Sequence, residues 1–192
     1  MNIVAKFHNW RRKQRWNKQY RKGRWENLKS DKERARYEKI VSFAEKHGIK
    51  NPDILDLGSG EGVLLDYFNT NTINSFFGMD FSSVSIKKAN STNREKGTFI
   101  CADLHYFKPD NKYNIIVLNE AFYYIHDTKK KDVINMLIDH LKPNGIIIVS
   151  IFREGAGCWE FFKNDRFKEL EFTTVKTEDQ NTYWKIGAYK VA

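Results

Sequence analysis

From about residue 50 onward, short apolar runs alternate with amphipathic stretches. Residues 53–57, 75–79, 98–102, 113–119 and 146–152 read as strands. The unbroken Ile115–Leu118 run is the pattern of a strand covered on both faces. Helical segments are expected to begin at 62–68, to span 82–94 with Ser82 as cap, and to span 129–141, ended by Pro143-Asn144-Gly145. Upstream, residues 31–47 read as a helix with Ile40, Val41, Phe43 and Ala44 on its apolar face; Gly48 stops it and Asn51-Pro52 turns the chain. The end differs. Residues 171–176 and 182–191 read as strands joined only by a polar turn around 178–181, so one of them must run antiparallel. The pattern predicts an α/β fold: a doubly wound, seven-stranded mixed sheet closing in a C-terminal antiparallel hairpin.

Composition narrows this. The 192 residues suffice for one core, and 41% apolar content argues against disorder throughout. No apolar run is long enough to span a membrane, and the N-terminus lacks the apolar stretch of a secretory signal, so a soluble cytoplasmic protein is expected. Cys101 and Cys158 match no metal spacing; they are expected to be reduced thiols, Cys101 packed in a strand, with no metal bound. Charge is uneven. Residues 1–40 hold fourteen Lys and Arg against four Asp and Glu, a net +10 on a chain of net +9. Trp10, Trp16, Tyr20 and Trp25 are interleaved with them. The chain is therefore divided into a basic, aromatic-rich helical lid (1–50) and a ligand-binding domain (51–192). The basic segment suits phosphates, nucleic acid or an acidic surface.

The first strand ends in Asp56-Leu57-Gly58-Ser59-Gly60-Glu61-Gly62. In an open parallel sheet, ligands sit at the carboxyl ends of the strands, and glycines there let the backbone turn and approach a ligand closely. The following helix N-terminus is expected to offer N–H groups to a carboxylate or phosphate. The dinucleotide fingerprint needs its third glycine where Val63 stands, and the phosphate loop's Lys and Ser/Thr are absent. The second strand runs into Asp80, whose two oxygens suit ribose hydroxyls; the third runs into Asp103, an acceptor for an adenine amino group.

This constellation, with Asn119-Glu120-Ala121-Phe122-Tyr123-Tyr124-Ile125 and Leu141-Lys142-Pro143-Asn144-Gly145, resembles the class I S-adenosylmethionine-dependent methyltransferases over about residues 35–192. The resemblance implies S-adenosyl-L-methionine as cofactor. It places Gly58, Ser59 and Gly60 along the methionine portion, with Asp56 and the Asn119 carbonyl at its amino group and Arg36 at its carboxylate. Asp80 would hold the ribose, Phe81 would pack on adenine, and Asp103 would meet the adenine amino group beside Leu104. His126, Glu120 and Tyr124 are the expected base or orienting groups, with His105 a further one; Trp16, Tyr20, Trp25 and Tyr123 are expected to wall the acceptor pocket. Asn119-Glu120-Ala121 lacks the Pro-Pro pattern of nucleic-acid amino-methyltransferases. It points instead to O or N of a small, anionic or glycosylated metabolite, with Arg21, Lys22 and Arg24 available to an anion. Two alternatives stand beside it: an RNA or tRNA methyltransferase gripping phosphates through residues 1–40, and a non-catalytic binding subunit of this fold. The chain is expected to act as a monomer or homodimer, away from membranes.

Overall fold

The computed structural model describes residues 3–179 and 181–192, with side chains from Phe7 onward; Gln180, in the predicted hairpin turn, lies outside the described residues. Seven strands form one sheet: β1 (Asp53–Leu57), β2 (Ser75–Asp80), β3 (Gly97–Cys101), β4 (Tyr113–Asn119), β5 (Leu141–Phe152), β6 (Phe167–Lys176) and β7 (Tyr183–Val191). Their order is β3-β2-β1-β4-β5-β7-β6. β1 to β5 are mutually parallel, and β7 runs antiparallel to both β5 and β6. Among the described residues the four α-helices are α1 (Ile3–Arg21), α2 (Asp31–His47), α3 (Ser83–Ser91) and α4 (Asp127–Asp139).

Successive strand residues face opposite sides of a sheet, and the core divides accordingly. Ile54, Ile115 and Val117 pack with Ile40 and Phe43 of α2 and Ile86 of α3. Leu55, Ile116 and Leu118 pack on the other face with Val133, Ile134 and Leu137 of α4. Each fully buried side chain of this size contributes roughly 1.5–3 kcal/mol of transfer free energy. Because α2 shares a core with the sheet, the compositional step near residue 50 marks a change in surface charge and does not divide the core. α1 stands apart, bound to α3: Asn17 Oδ1 accepts from the buried Ser82 hydroxyl at 2.8 Å.

The elements depart from the sequence reading at several places. No α-helix follows the glycine loop; Val63–Tyr67 and Thr70–Thr72 are short 3-10 helices. Asn69 Oδ1 accepts from the Asn71 amide at 3.0 Å, a side-chain bond that competes with helix continuation. β5 starts at Leu141, because Asn144 adopts a left-handed backbone (φ 62°) and a register shift between Tyr113 and Ile115 absorbs the Pro-Asn-Gly turn. α4 starts at Asp127, capped by His126. Cys101 lies on the edge strand β3 and is exposed; the buried thiol is Cys158, in a 3-10 helix (Cys158–Phe161) that the sequence pattern did not reveal.

Candidate active site

Strand order reverses between β1 and β4, and a cavity of about 440 Å³ opens at their carboxyl ends. That is where ligands bind in doubly wound sheets, and the volume falls in the range of small-molecule sites. The glycine loop forms its floor. Gly58 is left-handed (φ 90°), and a Cβ there would lie 2.7 Å from the Ala121 Cβ. Only glycine combines that backbone with that approach.

The loop's amides do not cradle an anion as expected. Those of Gly58 and Ser59 both donate to the Met79 carbonyl, at 2.8 and 2.9 Å. Gly60 N–H donates to Asp80 Oδ2 at 3.0 Å, and Gly62 N–H to the Ser59 carbonyl at 2.8 Å. With a short 3-10 helix following, the loop offers a ligand close backbone contact more than charge.

The charges lie beside it. Asp80 accepts from Gly60 N–H, Ser82 N–H and the Ser85 hydroxyl, three donors against about four acceptor sites. Burial nonetheless raises its pKa. Asp56, at the end of β1, is fully buried, and its Oδ1 has no hydrogen-bond partner. Burial and the neighbouring Asp80 charge push its carboxyl up to about 8, against the pull of Arg36. Nine buried side-chain polar atoms among the described residues lack a hydrogen-bond partner, and seven belong to residues lining this one cavity. Besides Asp56 they sit on Arg12, Trp25, Arg36, Ser59 and Asn119, and on Glu33, whose Oε2 already meets Arg36 Nη2 as an ion pair at 2.8 Å. Buried polar groups are almost always paired, so this concentration marks a place where a ligand completes the bonding.

Arg36 is 1% exposed at the far end. Its guanidinium is 2.8 Å from Glu33 and 3.9 Å from Glu120, and it stacks over the Tyr37 and Trp184 rings at 4.7 and 5.2 Å. Glu120, just past β4, holds a left-handed backbone (φ 56°) that is uncommon for a side chain of its size. Its carboxyl accepts from the Tyr123 hydroxyl at 2.8 Å and from the Ser150 hydroxyl at 3.4 Å. Burial raises it to about 7 despite the pull of Arg36 and Tyr123.

Residues 26–184 match the family model described as a methyltransferase domain. The chain belongs to the methyltransferase domain family. It is 30% identical over 120 residues to malonyl-acyl-carrier protein O-methyltransferase 2 of Ilyobacter polytropus, a match covering 57% of this chain and 45% of that protein. The chain thus spans less than half the length of the curated relatives it matches. Its structure is similar to 1,6-didemethyltoxoflavin-N1-methyltransferase of Burkholderia thailandensis at a TM-score of 0.75 and 13% identity, over 100% of this chain and 91% of that one. The N-methyltransferase NodS of Bradyrhizobium japonicum WM9 follows at 0.73 and 15%, covering 87% and 91%. At these identities the likeness is one of fold.

α1, which precedes the residues matched by the family model, closes the other end of the cavity. Asp103 Oδ2 accepts from Arg12 Nη2 at 2.7 Å and Asn9 Nδ2 at 2.9 Å. Its Oδ1 accepts from His105, through Nδ1 at 2.7 Å and the backbone N–H at 3.1 Å. Burial works against the carboxylate, but His105 and Arg12 outweigh it and hold the pKa below its ordinary value. All four acceptor sites of Asp103 are therefore taken, in place of the open site expected for an adenine amino group. The His126 amide donates to His105 Nε2 at 3.0 Å, so Nε2 carries the lone pair and Nδ1 the proton given to Asp103. His105 is thus a positioning residue. Arg12 also lies over the Phe81 ring, 4.6 Å from its centroid, and Leu104 lines the cavity beside it.

His126, expected as a base, is exposed, caps α4 by accepting from the Thr128 amide, and does not line the cavity. Tyr124 does line it, half-exposed. Its ring contacts Trp16 edge-on at 4.9 Å and Tyr123 at 4.4 Å, and Trp16 stacks on Trp25 at 5.3 Å. Tyr20, buried, adjoins Trp25 at 6.1 Å. All four expected wall residues thus meet. Glu33, Arg12 and Trp184 were missed. Glu33 stands one helical turn before Arg36, a spacing that pairs charges, whereas Trp184 carries no local sign of its place. Glu61 ties the glycine loop to the turn after α1 through Lys29 at 2.5 Å and to α3 through Lys88 at 2.8 Å.

Proposed function

We propose that this cavity binds S-adenosyl-L-methionine and that the chain transfers its methyl group to an O or N atom of a small molecule. The observation that carries the reading is the set of unpartnered buried polar atoms gathered on one cavity at the strand-order reversal, in a chain of the methyltransferase family. Asp56 and the Asn119 backbone carbonyl meet the methionine amino group, and Arg36 its carboxylate. Asp80 takes the ribose hydroxyls. Phe81 and Leu104 flank adenine, while Asp103 shapes that end by fixing Arg12 and His105. When bound, the cofactor supplies an already activated methyl group. The protein's work is then to align the acceptor, exclude water and remove a proton where the acceptor carries one. α1 and the turn after it act as the lid, with Trp16, Tyr20, Trp25, Tyr123 and Tyr124 as the acceptor wall. Glu120 is the base, Tyr123 its hydrogen-bond partner.

A second reading, methylation of RNA, draws on the outer face of α1. Phe7 and Trp10 are both more than half exposed there and stack at 6.1 Å, beside exposed Arg11, Arg15 and Lys18. Stacking rings among cations suit single-stranded nucleic acid. Incubating cell extract with the protein and methyl-labelled cofactor separates the two. Label is expected in the small-molecule fraction. Label in RNA, with binding that weakens steeply as salt rises, would replace the first reading by the second. Intact cofactor binding with no labelled fraction would leave a non-catalytic binding subunit.

A further inference from the structure

The end of the cavity away from Asp80 is negatively biased. Glu33 and Glu120 share one cation, Arg36, which sits closer to Glu33 (2.8 Å) than to Glu120 (3.9 Å). The hydrogen bonds Glu120 accepts come from neutral hydroxyls, those of Tyr123 and Ser150. The other cations near the cavity are engaged. Lys29 pairs with Glu61 and Glu26, and Arg12 with Asp103. Arg21, Lys22 and Arg24, expected to meet an anion, are exposed and do not line the cavity. An anionic acceptor would therefore face a carboxylate with no uncommitted positive partner. From Glu120 the wall continues through Tyr123, Tyr124 and Trp16 to Trp25, each ring touching the next. Aromatic faces attract cations, most strongly where water is excluded.

We infer that the methyl acceptor is an amine, which enters as its ammonium between Glu120 and this aromatic wall and gives its proton to Glu120 before methylation. The inference rests on the methyltransferase reading. The ammonium N–H bond breaks and its proton passes to a Glu120 oxygen, leaving a neutral nitrogen with a lone pair. That pair forms the new N–C bond as the methyl group's bond to sulfur breaks, and the sulfur keeps the bonding electrons. The left-handed backbone at Glu120 costs energy and is retained where it aims the carboxylate off the end of β4 into the cavity.

The test uses the full chain saturated with S-adenosyl-L-homocysteine. Three probes of one shape are titrated by calorimetry: 2-phenylethylamine, 2-phenylethanol and phenylacetate. The amine is expected to bind about tenfold more tightly than the other two. Glu120→Gln is expected to erase that preference while the variant still binds S-adenosyl-L-homocysteine, which also shows that it folds. Trp16→Leu is expected to weaken the amine and leave the alcohol nearly unaffected. Equal affinities, tighter binding of phenylacetate, or a preference that survives Glu120→Gln would overturn the inference and leave the cofactor reading intact. Failure of S-adenosyl-L-homocysteine itself to bind would overturn the cofactor reading instead.

Discussion

Asp56→Asn is expected to stabilise the ligand-free protein at alkaline pH and to cripple cofactor binding. The carboxyl is fully buried, and its pKa is pushed up to about 8 by burial, then by Asp80, against Arg36. In the unfolded chain it titrates near 4. Between those values the folded state holds a proton that the unfolded state has lost. Stability therefore falls as pH rises from about 4 towards about 8, and the deficit is fully present above that. Asparagine mimics the protonated form. Near pH 4 its melting temperature should almost match that of the parent, and at pH 8.5 it should exceed it by many degrees, on the order of 5 kcal/mol. Binding should move the other way. Losing a charge-assisted bond to an ammonium group costs about 1.5–3 kcal/mol, or roughly 10- to 100-fold in affinity. Melting curves at the two pH values, with a titration of S-adenosyl-L-homocysteine, check both signs. A variant less stable at pH 8.5 would show that Asp56 is there to hold the fold.

The second large effect is expected at Gly58. Its left-handed backbone disfavours any side chain, and an added Cβ would press on the Ala121 Cβ at 2.7 Å. Gly157 serves as the control: it is also left-handed (φ 79°), but a Cβ there meets nothing within 4 Å. Gly157→Ala should cost only the backbone penalty, about 1–2 kcal/mol, and leave binding untouched. Gly58→Ala should cost more than that and also remove cofactor affinity, because relief of the clash moves the loop or the segment after β4. Gly58→Val should fail to bind at any accessible concentration. Equal losses at both glycines would mean that the Gly58–Ala121 approach is not what the loop requires.

How much of this was legible follows from what decides each feature. β1 and β4 take the bounds read for them, because an unbroken apolar run between turn residues is a local signal that burial on both faces reinforces. The helix expected after the glycine loop failed because Asn69 bonds its own downstream backbone and stops it within two turns. The strand at β5 begins earlier than its apolar run because a bulge carries residues 142–145 between the Leu141 and Ile146 pairings, and bulge geometry leaves little trace in composition. At the site, Asp56, Asp80 and the glycine loop follow from position at strand ends. The filling of Asp103 does not, since two of its four donors, Asn9 and Arg12, lie more than ninety residues away. His126 drew notice as a histidine near the fourth strand, but at a helix start its ring is an ordinary cap. Glu33 and Trp184 reach the cavity only through the packing of α2 and β7 against the sheet.

The central claim is that the cavity between the glycine loop and α1 is a cofactor site built around Asp80, and calorimetric titration of S-adenosyl-L-homocysteine tests it most directly. The parent protein should bind one equivalent with micromolar affinity, and Asp80→Ala should show no measurable heat while retaining a cooperative melt. Equal binding in parent and variant would contradict the claim.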